Sequence, residues 1–189
     1  MKENNNILLK LIINFIHSFK IKKTLFLNYS DLTIFEGLSN SISRTLFRNQ
    51  PIISDKEKFD LIVGNLPFGM PKKEWVDSER DICIKARRNW IDIFRSLFLL
   101  NDSGYGIYII EPFHQSVEWL KFQEQLRKKR FFVNAIFNTP QGILQPQTSL
   151  QPNLIIISRV DNSQLFIAEL HNLESLDTII NNFKNSFNS

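Results

Sequence analysis

Cysteine is almost absent from this sequence of 189 residues, which contains only Cys83. One cysteine excludes an internal disulfide framework, and no cluster of cysteine and histidine has the spacing of a zinc site. The three histidines are scattered, with no paired carboxylate or nucleophile close by in sequence. These absences argue against a disulfide-stabilised domain, a bound metal and a hydrolytic triad.

Long hydrophobic runs are also missing. The segment 7–19 is apolar, but it contains Lys10 and His17 and is too short to span a bilayer. No small-residue cleavage site follows it, as a signal peptide would require. Hydrophobic residues make up 43% of the chain and charged residues 22%, which are ordinary proportions for a folded domain. We therefore expect a cytoplasmic protein in which 7–19 is a core helix.

Glycine is scarce, and its placement excludes one common motif. The chain has six glycines, and none precedes Gly37. Nucleotide-type cofactors are commonly held by a glycine-rich turn between a first strand and a helix. The only Gly-x-Gly, at 104–106, precedes a predicted strand instead of following one. The sequence therefore lacks the usual cofactor turn near its start.

The most informative segment that is present is 59–69, which reads FDLIVGNLPFG. Its apolar first half predicts a buried strand. The strand ends in Asn65, Leu66, Pro67 and Phe68, followed by Gly69. In open α/β sheets, ligands bind outside the carboxyl ends of the strands, so this strand end is a candidate site.

The residue types of this segment suit chemistry on an amino group of a base. The Asn65 side-chain oxygen and the Leu66 carbonyl would accept hydrogen bonds from the amine as charge develops on its nitrogen. Pro67 has a fixed φ and no N–H, so it stiffens the turn. Phe68 would stack on a flipped-out base, and Gly69 would let the backbone pass close to a ligand.

This segment resembles the catalytic motif of amino-methyltransferases, usually Asn/Asp/Ser-Pro-Pro-Tyr/Phe. The apolar run before it and the glycine after it are similar to N6-adenine DNA methyltransferases, particularly the methylation subunits of type I restriction-modification systems. The resemblance implies catalytic roles for Asn65, Leu66, Pro67 and Phe68. Leu66 replaces the commoner proline, and leucine or isoleucine there occurs in ribosomal RNA adenine dimethylases.

The chain downstream predicts alternating helices and strands. Apolar spacing indicates helices at 89–100 and 118–130, with a turn at 101–104 ended by glycine. Strands are predicted at 105–110, 131–137 and 151–159. This alternation predicts a mostly parallel sheet with helices on its faces. The same order resembles the type I methylation subunit over roughly 57–170, including the turn 140–144 and the short strand 164–170.

The amino-terminal part resembles the family only from just after its ribose-binding acid. The segment 8–19 is similar to the helix there, and 24–32 to the family's third strand. This resemblance implies that Asp31 and Asn65 contact the cofactor, S-adenosylmethionine. We therefore expect a Rossmann-like α/β methyltransferase fold that is incomplete at the amino terminus. Residues 1–170 would form the catalytic half, and 171–189 a carboxyl-terminal helix or tail.

The family sheet runs 3-2-1-4-5, so the missing strands would lie at its centre. The strand ending at Asn65 would then have an unpaired apolar edge, which is an aggregation hazard. Three outcomes stay open: the strand near residue 26 pairs directly beside it, a second chain supplies the missing half, or the chain folds poorly.

Basic residues are concentrated just after the motif. The net charge of +4 permits nucleic-acid binding, and contacts to DNA phosphates would be useful at this position. The predicted DNA contacts are Lys72, Lys73, Arg80, Lys85, Arg87 and Arg88. The resemblance implies a DNA adenine N6-methyltransferase, with DNA, a specificity subunit or a complementing second chain as partners. The alternatives are an inactive remnant or interaction subunit, and methyl transfer to RNA adenine or protein glutamine.

Overall fold

The computed structural model describes residues 4–28, 57–112, 116–144, 149–162 and 164–187. These residues form a mixed α/β fold with one main sheet, a separate hairpin and four helices. The strands are β1 Thr24–Asn28, β2 Phe59–Asn65, β3 Lys72–Asp77, β4 Ile82–Arg87, β5 Leu100–Ile110, β6 Phe132–Asn138, β7 Asn153–Ser158 and β8 Phe166–Glu169. The helices are α1 Asn4–Ser18, α2 Arg88–Leu97, α3 Val117–Lys128 and α4 Leu176–Asn185.

The main sheet has six strands in the order β1-β2-β5-β7-β6-β8. Strands β1, β2 and β5 run parallel to one another, and β8 runs parallel to β6. Strand β7 is antiparallel to both of its neighbours, β5 and β6. The predicted α/β class with a mostly parallel sheet is confirmed. The motif strand β2 lies between β1 and β5, so the carboxyl ends of three parallel strands meet beside it.

The two faces of the sheet bury separate apolar cores. Side chains alternate between the faces along each strand, as the two-residue repeat of a strand requires. On β5, Ile107 and Ile109 pack with α1 and α4, whereas Tyr108 and Ile110 pack with α2 and α3. Because both faces are covered, the strands are almost continuously apolar, as is usual for parallel sheets.

Strand β1 has a different neighbour from the one that the family resemblance implies. It pairs directly with β2, with Phe26 opposite Val63 and Asn28 opposite Asn65. It lies at one edge of the main sheet, as the family's third strand does, but its neighbour is the motif strand, because in the described residues no other strand lies between them. Of the three outcomes left open above, direct pairing is the one observed. It satisfies the backbone groups of β2 that would otherwise form an exposed edge.

The helix predicted to run to residue 100 ends earlier, and the predicted turn at 101–104 falls within β5 as an irregularity between the pairs Phe59–Leu100 and Leu61–Tyr105. Helix α2 ends at Leu97, where the Phe98 N–H donates to the Arg95 carbonyl and the Leu99 N–H to the Ser96 carbonyl, and β5 begins at Leu100. Gly104 lies within β5 and does not end a helix. A Cβ at Gly104 would lie 2.9 Å from the Phe59 carbonyl oxygen, so glycine here permits the close approach of β2.

Two elements received no strand or helix bounds from the sequence. The β3–β4 hairpin follows the motif and packs its buried Ile82 and Ile84 against the α2 side of the core. Helix α4 lies in the segment predicted as a helix or tail and packs on α1, where the Asn14 amide donates to Asp177 Oδ1 at 2.6 Å.

Among the described residues, no helix is long and apolar enough to cross a membrane.

Candidate functional site

The four predicted catalytic residues form the turn that leaves β2 at its carboxyl end. Asn65 is the last residue of β2 and lies opposite Asn28 of β1 and Ile109 of β5. Its exposed fraction is 8%. Within the described residues, no hydrogen bond engages the Asn65 side chain. The backbone of Asn65 is thus paired on both sides, while the polar atoms of its side chain have no hydrogen-bond partner among the described residues.

Leu66 and Phe68 anchor the turn on opposite faces of the sheet. The Leu66 side chain is only 2% exposed and belongs to the core on the α2 and α3 side. Phe68 is partly buried against the core on the α1 side. The leucine that replaces the commoner proline therefore has a structural role, because its side chain fills the core directly behind Asn65. Pro67, between them, is also partly exposed.

A pair of glycines and Tyr108 support the end of β2. Tyr108 lies opposite Gly64 in the β2–β5 pairing. A Cβ on Gly64 would lie 2.6 Å from Tyr108 Cδ1, and one on Gly106 would lie 2.5 Å from Tyr108 Cε2. The ring therefore lies across both glycines, one residue before Asn65. Burial raises the pKa of the Tyr108 hydroxyl well above its usual range, although a 2.7 Å hydrogen bond with Ser96 Oγ opposes this shift.

The far end of the turn is held by a residue that the sequence analysis did not select. Gly69 has φ +68°, in the left-handed region that favours glycine, and apart from its chain neighbours no described residue has an atom within 4 Å of where its Cβ would be. Its N–H donates to Glu111 Oε2 at 2.7 Å. Glu111 follows β5 and is 8% exposed, and its Oε1 lies 3.1 Å from Arg87 Nη1. The signal in the sequence that could have identified Glu111 is its position, as an acidic residue directly after β5, the strand that pairs with the motif strand β2.

Further charges extend from Arg87 onto α3. Arg87 Nε lies 3.8 Å from Glu118 Oε2, and Lys72 forms an ion pair with the same carboxylate. The hydrogen bond from Lys72 lowers the pKa of Glu118; burial opposes this effect and the Arg87 charge adds to it. These alternating charges join four parts of the fold: the start of β3, the end of β4, the end of β5 and the first turn of α3.

The structure brings the six predicted DNA contacts together on the hairpin and at the start of α2. Four of them already face carboxylates in the free protein. Lys72 pairs with Glu118 and Arg87 with Glu111, while Arg80 pairs with Asp77 and Arg88 with Asp92. Lys73 and Lys85 are exposed and form no ion pair with another described residue.

Cavities adjoin this site on two sides. One of about 340 Å³ lies beside the turn and is lined by Gly69, Arg87, Glu111 and Pro112, among others. A second, of about 560 Å³, lies between β4 and α3. The Trp90 side chain lines both, and its buried Nε1 donor has no hydrogen-bond partner among the described residues.

The described residues do not fit a complete site for S-adenosylmethionine. The turn after β2 contains only Gly69, and Gly64, Gly104 and Gly106 are placed by packing inside the sheet. No glycine-rich turn joins a strand to a helix in these residues. Asp31, implied as a contact to the cofactor, lies outside the described residues.

Comparisons with known proteins show the fold. No protein-family model matches the sequence, and no curated protein matches it. A protein from Listeria monocytogenes assigned to the class I S-adenosylmethionine-dependent methyltransferases is 12% identical, with a TM-score of 0.63 over 97% of this chain and 70% of its own. A modification subunit assigned to a type I restriction enzyme of Vibrio vulnificus YJ016 is 11% identical, with a TM-score of 0.55 over 94% of this chain and 51% of its own.

A structure of a type I restriction-modification system is also similar, with 17% identity and a TM-score of 0.50 over 84% of this chain. This chain spans 37% of the length of that protein and about half of the Vibrio subunit. At these identities the similarity shows the fold, which is that of Rossmann-like S-adenosylmethionine-dependent methyltransferases.

Proposed function

We propose that this chain carries the acceptor-binding half of a DNA methyltransferase of the restriction-modification type, which acts on the N6 amine of adenine. The observation that carries the proposal is the position of Asn65–Phe68. The turn leaves the carboxyl end of an interior parallel strand, where ligands bind in open α/β sheets. The similarity in fold to type I modification subunits supports DNA as the substrate class.

The acceptor chemistry follows from the residue types. The N6 amine is a poor nucleophile because its lone pair is delocalised into the purine ring. Asn65 Oδ1 and the Leu66 carbonyl oxygen would accept its two hydrogens and stabilise the positive charge that develops on nitrogen. Asn65 is paired on both sides within the sheet, which fixes the backbone from which its side chain extends. The methylated nitrogen is strongly acidic, so the proposal requires no general base.

The remaining motif residues would hold the base and the turn. Phe68 is half-buried, so one part of its ring packs on the core and the other part is available to stack on a flipped-out adenine. Such stacking contributes about 1–3 kcal/mol per base. Pro67 restricts the backbone between the two acceptors and the ring.

DNA would be held by the hairpin that follows the motif. We propose Lys73 and Lys85 as the first phosphate contacts, because neither forms an ion pair with a described residue, although Glu74 lies opposite Lys85 in the hairpin. The other four basic residues already pair with carboxylates, so DNA phosphate would have to compete with these carboxylates for Lys72, Arg80, Arg87 and Arg88. Their contribution to affinity should be smaller than a count of basic residues suggests.

We propose S-adenosylmethionine as the methyl donor, bound with help from a second chain. When bound, it would supply the methyl group as an activated sulfonium. Asp31 and Asn65 are the residues of this chain proposed to face it. Since the described residues lack the glycine-rich turn, the proposal assigns that turn to a partner, which could act alongside a specificity subunit.

The test is transfer of labelled methyl groups from S-adenosylmethionine to unmethylated DNA by the purified chain, with and without the polypeptide encoded immediately upstream. Asn65→Ala is the test variant. Asn181→Ala, an exposed asparagine on α4, is the matched control. We expect transfer to N6 of adenine that Asn65→Ala abolishes and Asn181→Ala preserves. Parallel reactions with RNA and with glutamine-containing protein identify the acceptor, and transfer confined to either of them would contradict the DNA assignment.

One observation favours a second candidate, an interaction subunit without activity of its own. The described residues have the complete acceptor turn but no glycine-rich cofactor turn. Such a subunit would bind DNA or a specificity subunit through the hairpin without transferring methyl groups. Folded protein that binds DNA but gives no incorporation in either mixture would support this candidate over the enzyme.

A further inference from the structure

We propose that Glu111 is a positioning residue for the Asn65–Phe68 turn, an inference that rests on the proposed function. Its carboxylate holds the end of the turn through the Gly69 N–H, and Arg87 holds the carboxylate. No sequence motif marks this residue as functional. The assignment comes from the contact between the carboxyl end of β5 and the residue directly after the motif.

The turn is fixed at two points. At Asn65 the chain is still paired in the sheet, opposite Ile109. Four residues later, the Gly69 N–H donates to Glu111 Oε2 at 2.7 Å. Glu111 itself follows β5 by one residue, so both anchors belong to the same pair of strands. The two acceptors and the Phe68 ring lie between these anchors, and their spacing is set by the two strand ends.

The second anchor is needed because of the conformation of Gly69. Its φ of +68° lies in the left-handed region, and apart from its chain neighbours no described residue has an atom within 4 Å of its Cβ position. Glycine populates many backbone conformations, so packing alone would leave this end of the turn undefined. A hydrogen bond to a buried carboxylate selects one conformation and is stronger than a bond between neutral groups.

Arg87 and Glu118 keep the Glu111 carboxylate in place. A buried carboxylate is costly unless it is paired, and Arg87 Nη1 forms an ion pair with Oε1 at 3.1 Å, although Oε1 accepts no hydrogen bond from the described residues. Arg87 ends β4 and also lies near Glu118 of α3. The hairpin that would contact DNA is thereby connected to the motif through one arginine and one carboxylate. Binding of phosphate by Arg87 would therefore alter the group that holds the turn.

The experiment uses the full chain, with Glu111→Ala and Glu111→Gln as test variants. Glu124→Gln, which changes a surface carboxylate paired with Lys128 on α3, is the matched control. The first measurement is hydrogen exchange of the Gly69 amide, with amides of the β2–β5 pairing as the reference for global stability. We expect exchange at Gly69 to accelerate about tenfold or more in Glu111→Ala, with little change in the reference amides. The glutamine variant should be intermediate, since its carbonyl oxygen can still accept from Gly69.

The second measurement is methyl transfer under the conditions of the proposed function. We expect Glu111→Ala to lower kcat about tenfold or more with little change in the KM for DNA, and Glu111→Gln to recover part of that loss. Unchanged Gly69 exchange, equal acceleration of the reference amides, or wild-type kcat in Glu111→Ala would each overturn the assignment. If the wild-type chain transfers no methyl groups, the proposed function fails. In that case, faster hydrogen exchange of the Gly69 amide alone in Glu111→Ala would still support the role of Glu111 in positioning the turn. Unchanged exchange of the Gly69 amide in this variant would refute that role.

Discussion

Replacement of Gly64 by alanine should destabilise the protein strongly, because the new methyl group would overlap the Tyr108 ring. The added Cβ would lie 2.6 Å from Tyr108 Cδ1 and 3.1 Å from Cε1. The ring has little freedom to move away. It is fully buried, and its hydroxyl is held by Ser96 Oγ at 2.7 Å, which itself donates to the Ile93 carbonyl.

The magnitude combines two costs. An extra methyl group in a packed core costs about 1–3 kcal/mol. If the ring tilts away from Gly64, it also weakens the hydrogen bond to Ser96, which contributes roughly 0.5–1.5 kcal/mol. We therefore expect Gly64→Ala to lower the free energy of unfolding by about 2–4 kcal/mol, a large fraction of the roughly 5–15 kcal/mol of a typical domain. With an ordinary dependence on urea, the midpoint would fall by about 1–2 M.

The assay is urea unfolding followed by circular dichroism, with a double-mutant cycle between Gly64→Ala and Tyr108→Ala. If the ring is the cause, the double variant should be more stable than the sum of the single effects by at least about 1 kcal/mol. Ser103→Ala, an exposed position on the same strand as Tyr108, is the control and should stay within about 0.5 kcal/mol of wild type. A near-neutral Gly64→Ala, or additive effects in the cycle, would refute the proposed role of the ring.

Three further outcomes can be measured in the same way. Leu66→Ala should lower the free energy of unfolding by about 2–5 kcal/mol, because this core side chain is nearly fully buried, and a loss below about 1 kcal/mol in urea unfolding would contradict that packing. Burial raises the pKa of Tyr108 above its ordinary value near 10. The unfolded chain therefore loses the phenol proton at a lower pH than the folded protein, so the stability that Tyr108 contributes is present below about pH 10 and is lost as pH rises further. The free energy of unfolding of Tyr108→Phe should fall less steeply over this alkaline range. Burial acts to raise the pKa of Asp77, but the hydrogen bonds and charge of Arg80 lower it overall. The contribution of the Asp77 carboxylate to the free energy of unfolding is therefore present above about pH 4 and is lost on further acidification. The stability difference between wild type and Asp77→Asn should therefore shrink on titration below pH 4, and a constant difference would exclude this pair as its source.

Local patterns in the sequence were sufficient to locate most of the main elements. The apolar run at 59–65 is β2 as predicted, and the helical spacing of Trp90, Ile93, Phe94 and Leu97 corresponds to α2. Such repeats are visible in sequence because each depends on residues only two to four positions apart. The Asn65–Phe68 segment could be selected for the same reason, since its strand, its turn and its residue types are contiguous.

Segments with weak local patterns were missed or misplaced. The β3–β4 hairpin mixes charged and apolar residues, and its strands are stabilised by packing on α2 and α3. Residues 101–104 have the composition of a turn, and they interrupt the β2–β5 pairing between the pairs Phe59–Leu100 and Leu61–Tyr105 although they lie within β5. In the hairpin, tertiary contacts outweigh local propensity.

By itself, the sequence determined which strand carries the candidate site and which side chains that strand end presents. Only the tertiary structure decided what surrounds them. Strand β1 lies beside β2 although 30 residues separate Asn28 from Phe59, and Glu111 reaches Gly69 across 42 positions. Pairing partners, buried counter-charges and the close fit of Tyr108 over Gly64 depend on contacts between distant segments. Those contacts form only when the two cores assemble, so no repeat in the sequence specifies them.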